Sequence, residues 1–486
     1  MKAKITILCV FLFIFIIYLF TMLPGQAFHD AGEFQTIIHT VQIGHPTGFP
    51  TYIIFGKIFD IILPFVAPAW KANFLSLLYT LATLVFILLI SINLTKNKLA
   101  SILATLSAAF ILPVFNYAGL ADSHTLDRLF FFALFYIMLK ISEKWGLWLW
   151  IIFALVFGLG LGNHLFLVYS IPGFLIWIVY LFFKKGIPLN WHPFVCGFLA
   201  LILGLSVYIL IPLKGFDGNK INAMYALNTY SGFMHHVMGS DFKNLMFAGG
   251  SSKIISQILA GFALFPKNLT VVSTIIGFAG LIYGLTKKFV PTTILLISFC
   301  AFLTFSTNYP TSDPSRYFAN FYEIYVIWVA FGLTIIFFGI SKVFIKDKYL
   351  KNLSIVVVAG LFVIFVPFSL LLRNFEKVDK SKDRRAENYA TEIFDSVPPH
   401  SVIICWWNYY TPLWYQQSIL GKRPDVDILN NGDFVTLAKE YYGTRPVFVV
   451  DQINGIEQYF NLDIFGPIYK LSPKTPHYQT NLEETN

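Results

Sequence analysis

The sequence predicts an α-helical polytopic membrane protein that ends in a small α/β domain. Apolar residues make up 56% of the 486 residues, charged residues only 13%, and the mean hydropathy is +0.66. Apolar runs long enough to cross a bilayer recur from Ile5 to Leu372. The formal net charge of +9 comes largely from lysines in short loops between these runs. This placement is typical of cytoplasmic loops and argues against a nucleic-acid-binding protein.

The basic loops set the predicted topology, because lysine-rich loops stay on the cytoplasmic side. Placing spans between them gives eleven transmembrane helices, with the N-terminus inside and the C-terminal region outside. The predicted spans are residues 5–23, 70–93, 99–115, 127–141, 146–162, 165–183, 193–212, 268–286, 290–306, 318–341 and 353–372. We expect the first apolar run to be retained as a helix, although Gly25-Gln26-Ala27 would also suit signal-peptide cleavage. Residues 52–66 are apolar too, but counting them as a span would move the later lysine pairs outside. We therefore expect them to lie along the outer membrane surface.

Only the region from Arg373 onward has the composition of a soluble domain. A helix is predicted to reach Phe394, and short β-like runs follow at 401–405 and 446–450. We therefore predict a transmembrane module over residues 1–372, with its first outer loop at 24–69. A soluble α/β domain is predicted over 373–486.

The first outer loop carries the most conspicuous polar groups near the membrane. Residues 28–50 include Asp30, Glu33 and three histidines, and contain no lysine or arginine. Carboxylates three residues apart lie on the same face of a helix. Asp30 could simply cap a helix that Glu33 helps to start. That alternative does not explain the histidines, nor an acidic pair at an apolar boundary, where a carboxylate is costly unless paired or functional.

Other polar residues are predicted to reach the same outer side. His45 begins a rigid His-Pro-Thr-Gly-Phe-Pro turn, and His164 follows a glycine-rich run that suits close helix packing better than phosphate binding. Lys214 and Arg316, with Arg128 as a further candidate, suit an anionic headgroup, because ammonium and guanidinium groups bind phosphate oxygens.

No metal site is predicted. The adjacent His235 and His236 would point about 100° apart on a helix. The four cysteines have no metal-binding spacing.

Several motifs resemble one membrane family formerly known only as a domain of unknown function. The family includes the vertebrate transmembrane O-mannosyltransferase of plexin-type receptor domains, and it belongs to the GT-C class of glycosyltransferases. The most specific motifs are Asp-Ala-Gly-Glu-Phe at 30–34 and the turn from His45 to Pro50 followed by Tyr52. The resemblance continues through residues 162–164, 208–214, 308–313 and 423–426.

The resemblance implies a GT-C-like fold and a hexose transfer, with mannose favoured. The donor is expected to be a polyprenyl or dolichyl phosphate sugar, and the acceptor a hydroxyl of a protein Ser/Thr or of a glycan. Asp30 matches the family's catalytic base, and direct attack by the acceptor predicts inversion at the anomeric carbon. The residues expected to bind substrate are Glu33, His45, His164, Lys214 and Arg316.

The expected partners are membrane lipid, the lipid-linked donor and a protein or glycan acceptor. A divalent metal is compatible with this chemistry but is not predicted. The active site is expected on the extracytoplasmic side of a plasma, inner or endoplasmic-reticulum membrane.

Two other classes of protein stay open. A transporter or flippase of lipid-linked substrates would need polar residues at the midplane and inverted repeats. A non-catalytic receptor would use the aromatic cluster at 405–410 to stack on sugars.

Overall fold

A computed structural model describes residues 2–185, 191–216, 226–311, 313–344, 346–430 and 432–474. Residues 217–225 of the predicted third outer loop, and Ser312, lie outside the described residues. The chain divides into two compact units. The first comprises Met1–Pro24 and Ile37–Lys382, and the second comprises Gly25–Thr36 and Asp383–Asn486. The domain boundary expected near residue 372 stays a prediction.

The described part of the first unit is helical almost throughout. In chain order, the α-helices of the described residues in both units are α1 (Lys2–Thr21), α2 (His29–Thr40), α3 (Pro50–Ile62), α4 (Pro68–Thr95), α5 (Lys98–Ala109), α6 (Leu112–Ala118), α7 (Ser123–Glu143), α8 (Leu147–Leu161), α9 (Ile171–Lys185), α10 (Trp191–Leu205), α11 (Leu210–Phe216), α12 (Tyr230–Val237), α13 (Ser251–Ala263), α14 (Phe265–Leu269), α15 (Val271–Lys287), α16 (Phe289–Thr307), α17 (Ser315–Val343), α18 (Lys348–Val363), α19 (Ser369–Val378), α20 (Arg385–Ser396), α21 (Trp407–Leu420) and α22 (Phe434–Tyr441).

The helices confirm a multi-pass membrane protein. Among the described residues, seven are long and apolar enough to cross a bilayer, and two bent pairs raise the number to nine if each pair is one span. The bent pairs are α5 with α6, at 67°, and Ser252–Leu269 with α15, at 118°. Each of the eleven predicted segments lies largely on helix. The number eleven itself stays a prediction.

Helices α8 and α10 approach closely because glycines face each other. A Cβ on Gly158 would lie 2.5 Å from the carbonyl oxygen of Leu201 and 3.0 Å from the Cα of Gly204. Neither position can hold a side chain without separating the helices. The glycine-rich run before His164 therefore serves helix packing, as predicted.

The segment expected to lie along the membrane surface forms helix α3 over most of its length. At 13 residues, α3 is shorter than the roughly 20 residues that a membrane span needs. Its start is fastened to the end of α8 by Thr51, whose backbone N–H donates to the carbonyl of Gly162 at 3.0 Å. The hydroxyl of Thr51 donates to the carbonyl of Leu159 at 2.7 Å.

A buried carboxylate holds the other end of α3. Asp60 is 5% exposed and lies 3.0 Å from His39 Nδ1 and 3.1 Å from Lys57 Nζ, with Lys71 Nζ in direct contact. Burial opposes ionisation of this carboxyl group. Hydrogen bonds from Lys71, His39 and Lys57 outweigh it and hold the pKa of Asp60 below its usual value.

The second unit contains a five-stranded sheet. Its strands are β1 (Val402–Ile404), β2 (Asp427–Leu429), β3 (Val447–Val449), β4 (Phe460–Phe465) and β5 (Ile468–Pro473), in the order β2-β1-β3-β5-β4. Strand β1 pairs in parallel with β2 and β3, while β5 is antiparallel to β3 and β4. Val402 is in register with Asp427 on one side and Val447 on the other.

The sheet confirms the predicted small α/β domain. The two β-like runs correspond to β1 and β3, and the predicted helix corresponds to α20. Val402, Val447 and Val449 pack with Phe434 of α22 and Leu471 of β5 in a buried core. Strands β2, β4 and β5 were not predicted from sequence.

We expect Asp60→Asn to destabilise the protein in lipid nanodiscs by about 3 kcal/mol at neutral pH. The reason is that Lys71, with a side chain only 5% exposed, would lose its carboxylate. Because the pKa of Asp60 is lower in the folded state, its contribution is present above about pH 4 and is lost as the pH falls below that value. The difference in melting temperature between wild type and variant should therefore shrink as the pH falls below about 4. The exposed Glu376→Gln serves as the control. Equal melting temperatures for Asp60→Asn and wild type at pH 7 would contradict this role.

Candidate functional site

Asp30 lies in the first turn of α2, in the part of that helix assigned to the second unit. The helix begins at His29, so Asp30 is a helical residue and not the N-cap that the simplest alternative required. Its half-buried carboxylate accepts a hydrogen bond at Oδ1 from the indole Nε1 of Trp407, at 3.2 Å. A negative charge is favourable in the first turn of a helix. The carboxylate is thus oriented by a neutral donor.

Gly32 sets the distance between α2 and the helix that carries Trp407. A Cβ at Gly32 would lie 2.3 Å from the carbonyl oxygen of Ala27 and 2.8 Å from Oγ1 of Thr411. Thr411 lies on α21, one turn beyond Trp407. A larger residue would have to displace the backbone. The glycine of the Asp-Ala-Gly-Glu-Phe motif is therefore needed for the Asp30–Trp407 contact.

The residues just before α2 are fastened to the same unit. The side-chain amide of Gln35 accepts from the backbone N–H of Ala27 at 3.0 Å and donates to the carbonyl of Gly25 at 3.1 Å. The ring of Phe28 packs edge-on against Tyr389, with centroids 5.5 Å apart, and against Tyr409, at 6.4 Å.

Glu33 follows Asp30 by one helical turn and is fully buried. Tyr410 stacks on Trp407 with a centroid distance of 5.7 Å and an interplanar angle of 16°. Burial raises the pKa of Tyr410, and the charge of Glu33 acts in the same direction. The charge of Glu33 therefore acts on Tyr410, which stacks on the Trp407 ring that donates to Asp30.

In the first unit, a continuous run of rings connects His45 to His164. The imidazole of His45 packs against Phe49 at 4.9 Å between centroids, and Phe49 lies 5.6 Å from His164. His164 lies 4.4 Å from His124, which lies 4.4 Å from Tyr317. The predicted turn and the predicted histidine after α8 thus meet in one aromatic cluster.

Arg316 precedes Tyr317 in α17 and lies at the end of this cluster. Its guanidinium is 3.6 Å from the carboxylate of Asp122, 3.8 Å from that of Asp313, and 5.5 Å from the centroid of the Tyr117 ring. The side chain is 14% exposed. These neighbours fix the direction of the guanidinium while part of it stays accessible.

The two acidic neighbours of Arg316 are themselves held in place. Asp122 is the N-cap of α7, and its Oδ1 accepts from the backbone N–H of His124 at 2.7 Å. Burial opposes ionisation of Asp313. Hydrogen bonds from Tyr117 and Ser315, with the charge of Arg316, hold the pKa of Asp313 below its usual value.

Arg128 does not face a headgroup, which corrects one sequence-based expectation. It is 1% exposed, and its Nη1 donates to Oε1 of Glu323 at 3.1 Å. Its Nη2 lies 3.4 Å from the hydroxyl of Thr80. A charge among packed helices needs such partners because desolvation is costly. Arg128 is therefore part of a polar cluster inside the helix bundle.

The remaining predicted residue, Lys214, and the His235-His236 pair that was not predicted to bind metal lie on short helices. Lys214 is half-buried in α11. On α12, His235 Nε2 lies 2.8 Å from Asp241. His236 is buried, and burial, with the charge of His45, lowers its pKa to about 4, so it is neutral at physiological pH.

The folds of two solved structures are similar to this one. ArnT from Cupriavidus metallidurans, bound to undecaprenyl phosphate, matches with a TM-score of 0.58 and 11% identity, over 96% of this chain and 97% of that chain. The archaeal oligosaccharyltransferase AglB from Archaeoglobus fulgidus, in complex with an inhibitory peptide and a dolichol-phosphate, matches with a TM-score of 0.53 and 12% identity. That match covers 87% of this chain and 64% of AglB. Both are GT-C folds, so the predicted GT-C-like architecture is confirmed.

Residues 30–187 match the family model described as the protein O-mannosyl-transferase TMEM260 N-terminal domain. We refer to residues 30–187, which are similar to that domain, as the TMEM260-like region. The protein O-mannosyl-transferase tmem260 of Dictyostelium discoideum is 24% identical over 88% of this chain and 57% of its own length. The TMEM260 protein of Mus musculus is 20% identical over 84% of this chain and 59% of its own length. The chain thus spans less than three fifths of either relative.

Two positioning residues were missed by sequence reasoning. Asp122 stands immediately before Ser123 at the start of α7, and this N-cap pattern could have identified it. Trp407 is separated from Asp30 by 377 residues, so no local pattern connects them. The structure gives both a contact with a predicted site residue.

Gly32→Ala should destabilise the protein by about 2 kcal/mol, because the added methyl group has no room between Ala27 and Thr411. Thermal melting in nanodiscs measures this effect. Gly360→Ala is the matched control, since a Cβ there meets nothing within 4 Å. It should leave the melting temperature unchanged or slightly raised. If Gly32→Ala and Gly360→Ala both have the melting temperature of wild type, the close packing around Gly32 is contradicted.

Proposed function

We propose that this chain is a membrane glycosyltransferase that moves a hexose, with mannose favoured, from a polyprenyl or dolichyl phosphate to an acceptor hydroxyl. The acceptor is a protein Ser/Thr or a glycan on the extracytoplasmic side, and the anomeric carbon is inverted. The observation that carries the proposal is the half-buried Asp30 carboxylate, oriented by the Trp407 indole at the start of the TMEM260-like region.

Asp30 is assigned the role of general base. As the acceptor hydroxyl attacks the anomeric carbon, its proton passes to the carboxylate, and the lipid phosphate leaves from the opposite face. Trp407 donates a neutral hydrogen bond, which orients the carboxylate without cancelling its charge as a cation would. The buried Glu33, one turn away, is assigned to holding this arrangement or binding sugar hydroxyls.

Arg316 is assigned to the phosphate of the donor. Its planar fork of N–H groups matches phosphate oxygens, and Asp122, Asp313 and the Tyr117 ring fix its direction. Stabilising the charge that develops on the leaving phosphate lowers the barrier to transfer. Lys214 and His164 are proposed to assist the same group, and His45 to bind sugar hydroxyls.

The relatives support the sugar, the donor class and the acceptor. The relatives from Dictyostelium discoideum and Mus musculus are named protein O-mannosyl-transferases, which favours mannose and a protein hydroxyl. ArnT holds undecaprenyl phosphate and AglB holds a dolichol-phosphate, which favours a polyprenyl carrier. The long apolar helices suit such a carrier, because an apolar isoprenoid chain is more stable among apolar side chains than in water.

We expect Asp30→Asn to lower kcat for mannosyl transfer from polyprenyl-phosphate mannose about 10²–10⁴-fold, the range typical of general-base catalysis. The Asn side chain can still accept from Trp407, so the melting temperature and the donor KM should change little. Asp463→Asn, an exposed carboxylate on β4, is the control and should keep full activity. A variant at position 30 that retains substantial transfer rules out this mechanism.

Arg316→Ala should raise the donor KM about 10-fold or more, as expected when a charge-assisted hydrogen bond to phosphate is lost. Arg316→Lys should recover only part of this loss, because an ammonium group cannot bind phosphate through a planar fork. Arg385→Ala removes an arginine that is 83% exposed and serves as the control. Unchanged donor kinetics in Arg316→Ala would reject the assignment while leaving that of Asp30 intact.

A further inference from the structure

The second unit contains a cavity of about 270 Å³ that the transfer chemistry does not use. It is lined by aromatic rings, one carboxylate and a Gly-Pro turn. The lining includes Tyr389, Tyr409, Val450, Asp451, Tyr469 and the turn at Gly466. We refer to it as the Tyr389 cavity. Its volume is just below the range of drug-sized pockets, so it suits a ligand of about one ring.

The topology of the sheet explains why a cavity forms here. After β1 the chain enters α21 and returns as β2 on one side, whereas after β3 it continues to β4 and β5 on the other side. The connections leaving two adjacent parallel strands therefore diverge. Such switch points open a crevice at the carboxyl ends of the strands, where open α/β sheets bind ligands. Tyr409 follows β1, and Val450 and Asp451 directly follow β3.

Two aromatic rings of the cavity pack against each other. The rings of Tyr389 and Tyr409 lie 5.4 Å apart with an interplanar angle of only 33°. Rings at this distance and angle pack partly face to face, whereas a cage for a cation needs ring faces directed at a common centre. The buried hydroxyl of Tyr389 has no hydrogen-bond partner among the described residues. Polar groups of this kind are rarely left without a function or a ligand.

The carboxylate supplies the polar side of the cavity. Asp451 is exposed, and its Oδ1 accepts from the backbone N–H of Gln452 at 2.8 Å, which fixes the side chain. An ionised carboxylate can accept several further hydrogen bonds. A hexose ring has complementary chemistry, with an apolar C–H face that packs on tyrosine rings and hydroxyl groups that donate to a carboxylate.

We propose that the Tyr389 cavity is a carbohydrate-binding site for one hexose ring of a glycan. It is separate from the role assigned to Asp30 in transfer. The link to the first motif is structural, because Phe28, two residues before Asp30, packs its ring edge against both Tyr389 and Tyr409. The choice of mannose as the first probe rests on the proposed function, whereas the site itself does not.

The test is saturation-transfer NMR on the full chain in lipid nanodiscs, with methyl α-mannoside, methyl glucoside and methyl galactoside as separate probes. The Asp30→Asn variant is used as the parent protein and no lipid-linked donor is added, so no transfer can occur. At least one hexoside should bind saturably. Adding Asp451→Asn should weaken that binding about 10-fold, and Tyr469→Ala about 3- to 10-fold. Binding in the Asp30→Asn parent would support a carbohydrate site in the Tyr389 cavity even if the transfer proposal fails.

Two matched variants separate the cavity from general effects of substitution. Asp463→Asn and Tyr459→Ala change an exposed carboxylate and an exposed tyrosine outside the cavity, and should bind like the parent within about twofold. Melting temperatures confirm that all variants are folded. The proposal is overturned if no hexoside binds, or if the cavity variants bind as tightly as their controls. It is also overturned if choline, and no hexoside, binds in a manner sensitive to Asp451, which would indicate a cation site.

Discussion

The contact between Asp30 and the indole of Trp407 depends on the absence of a side chain at Gly32. A helix carrying a carboxylate can approach a second helix this closely only if no Cβ stands between them, and Thr411 and Ala27 leave no space for one. The indole then supplies a directional hydrogen bond but no charge. A lysine or arginine at the same place would stabilise the carboxylate and reduce its basicity. A neutral donor orients the group without adding a counter-charge.

In the first unit, two arginines near helix ends have carboxylate partners but differ in exposure. Arg128 is fully buried and donates to Glu323, whereas Arg316 keeps some exposure between Asp122 and Asp313. The difference follows from surroundings, since a cation among packed apolar helices requires a counter-ion at hydrogen-bonding distance. The same sequence feature, an arginine near a predicted helix end, therefore has two outcomes. Arg128 is paired inside the bundle, and Arg316 is the better candidate for a phosphate.

Much of the fold could be predicted from sequence because membrane helices and basic loops leave strong local patterns. Long apolar runs locate the helices, and β1 and β3 stand out as short β-branched runs between turn residues. Strands β4 and β5 are amphipathic and partly exposed, so they lack such a signal. The assignment of residues 25–36 to the second unit depends on packing against residues beyond 383, which no local pattern reveals.

For the candidate site, the sequence predicted the main site residues but not the residues that position them. Motif resemblance selected Asp30 and the turn at His45, and charge selected Arg316. The partners that position them, Trp407 and Asp122, come from distant parts of the chain or perform a capping role that many aspartates share. Arg128 was misjudged because position along a helix does not reveal which neighbouring helix supplies a counter-ion. Long-range packing decided each of these cases.

The most direct measurement of the central claim is the anomeric configuration of the product, determined by NMR after enzymatic transfer from a donor of defined configuration. If Asp30 removes the acceptor's proton while the acceptor attacks the anomeric carbon, the reaction is a single displacement, and the product must have the inverted configuration. A product that retains the donor's configuration would require two displacements or a different nucleophile, and would contradict the account.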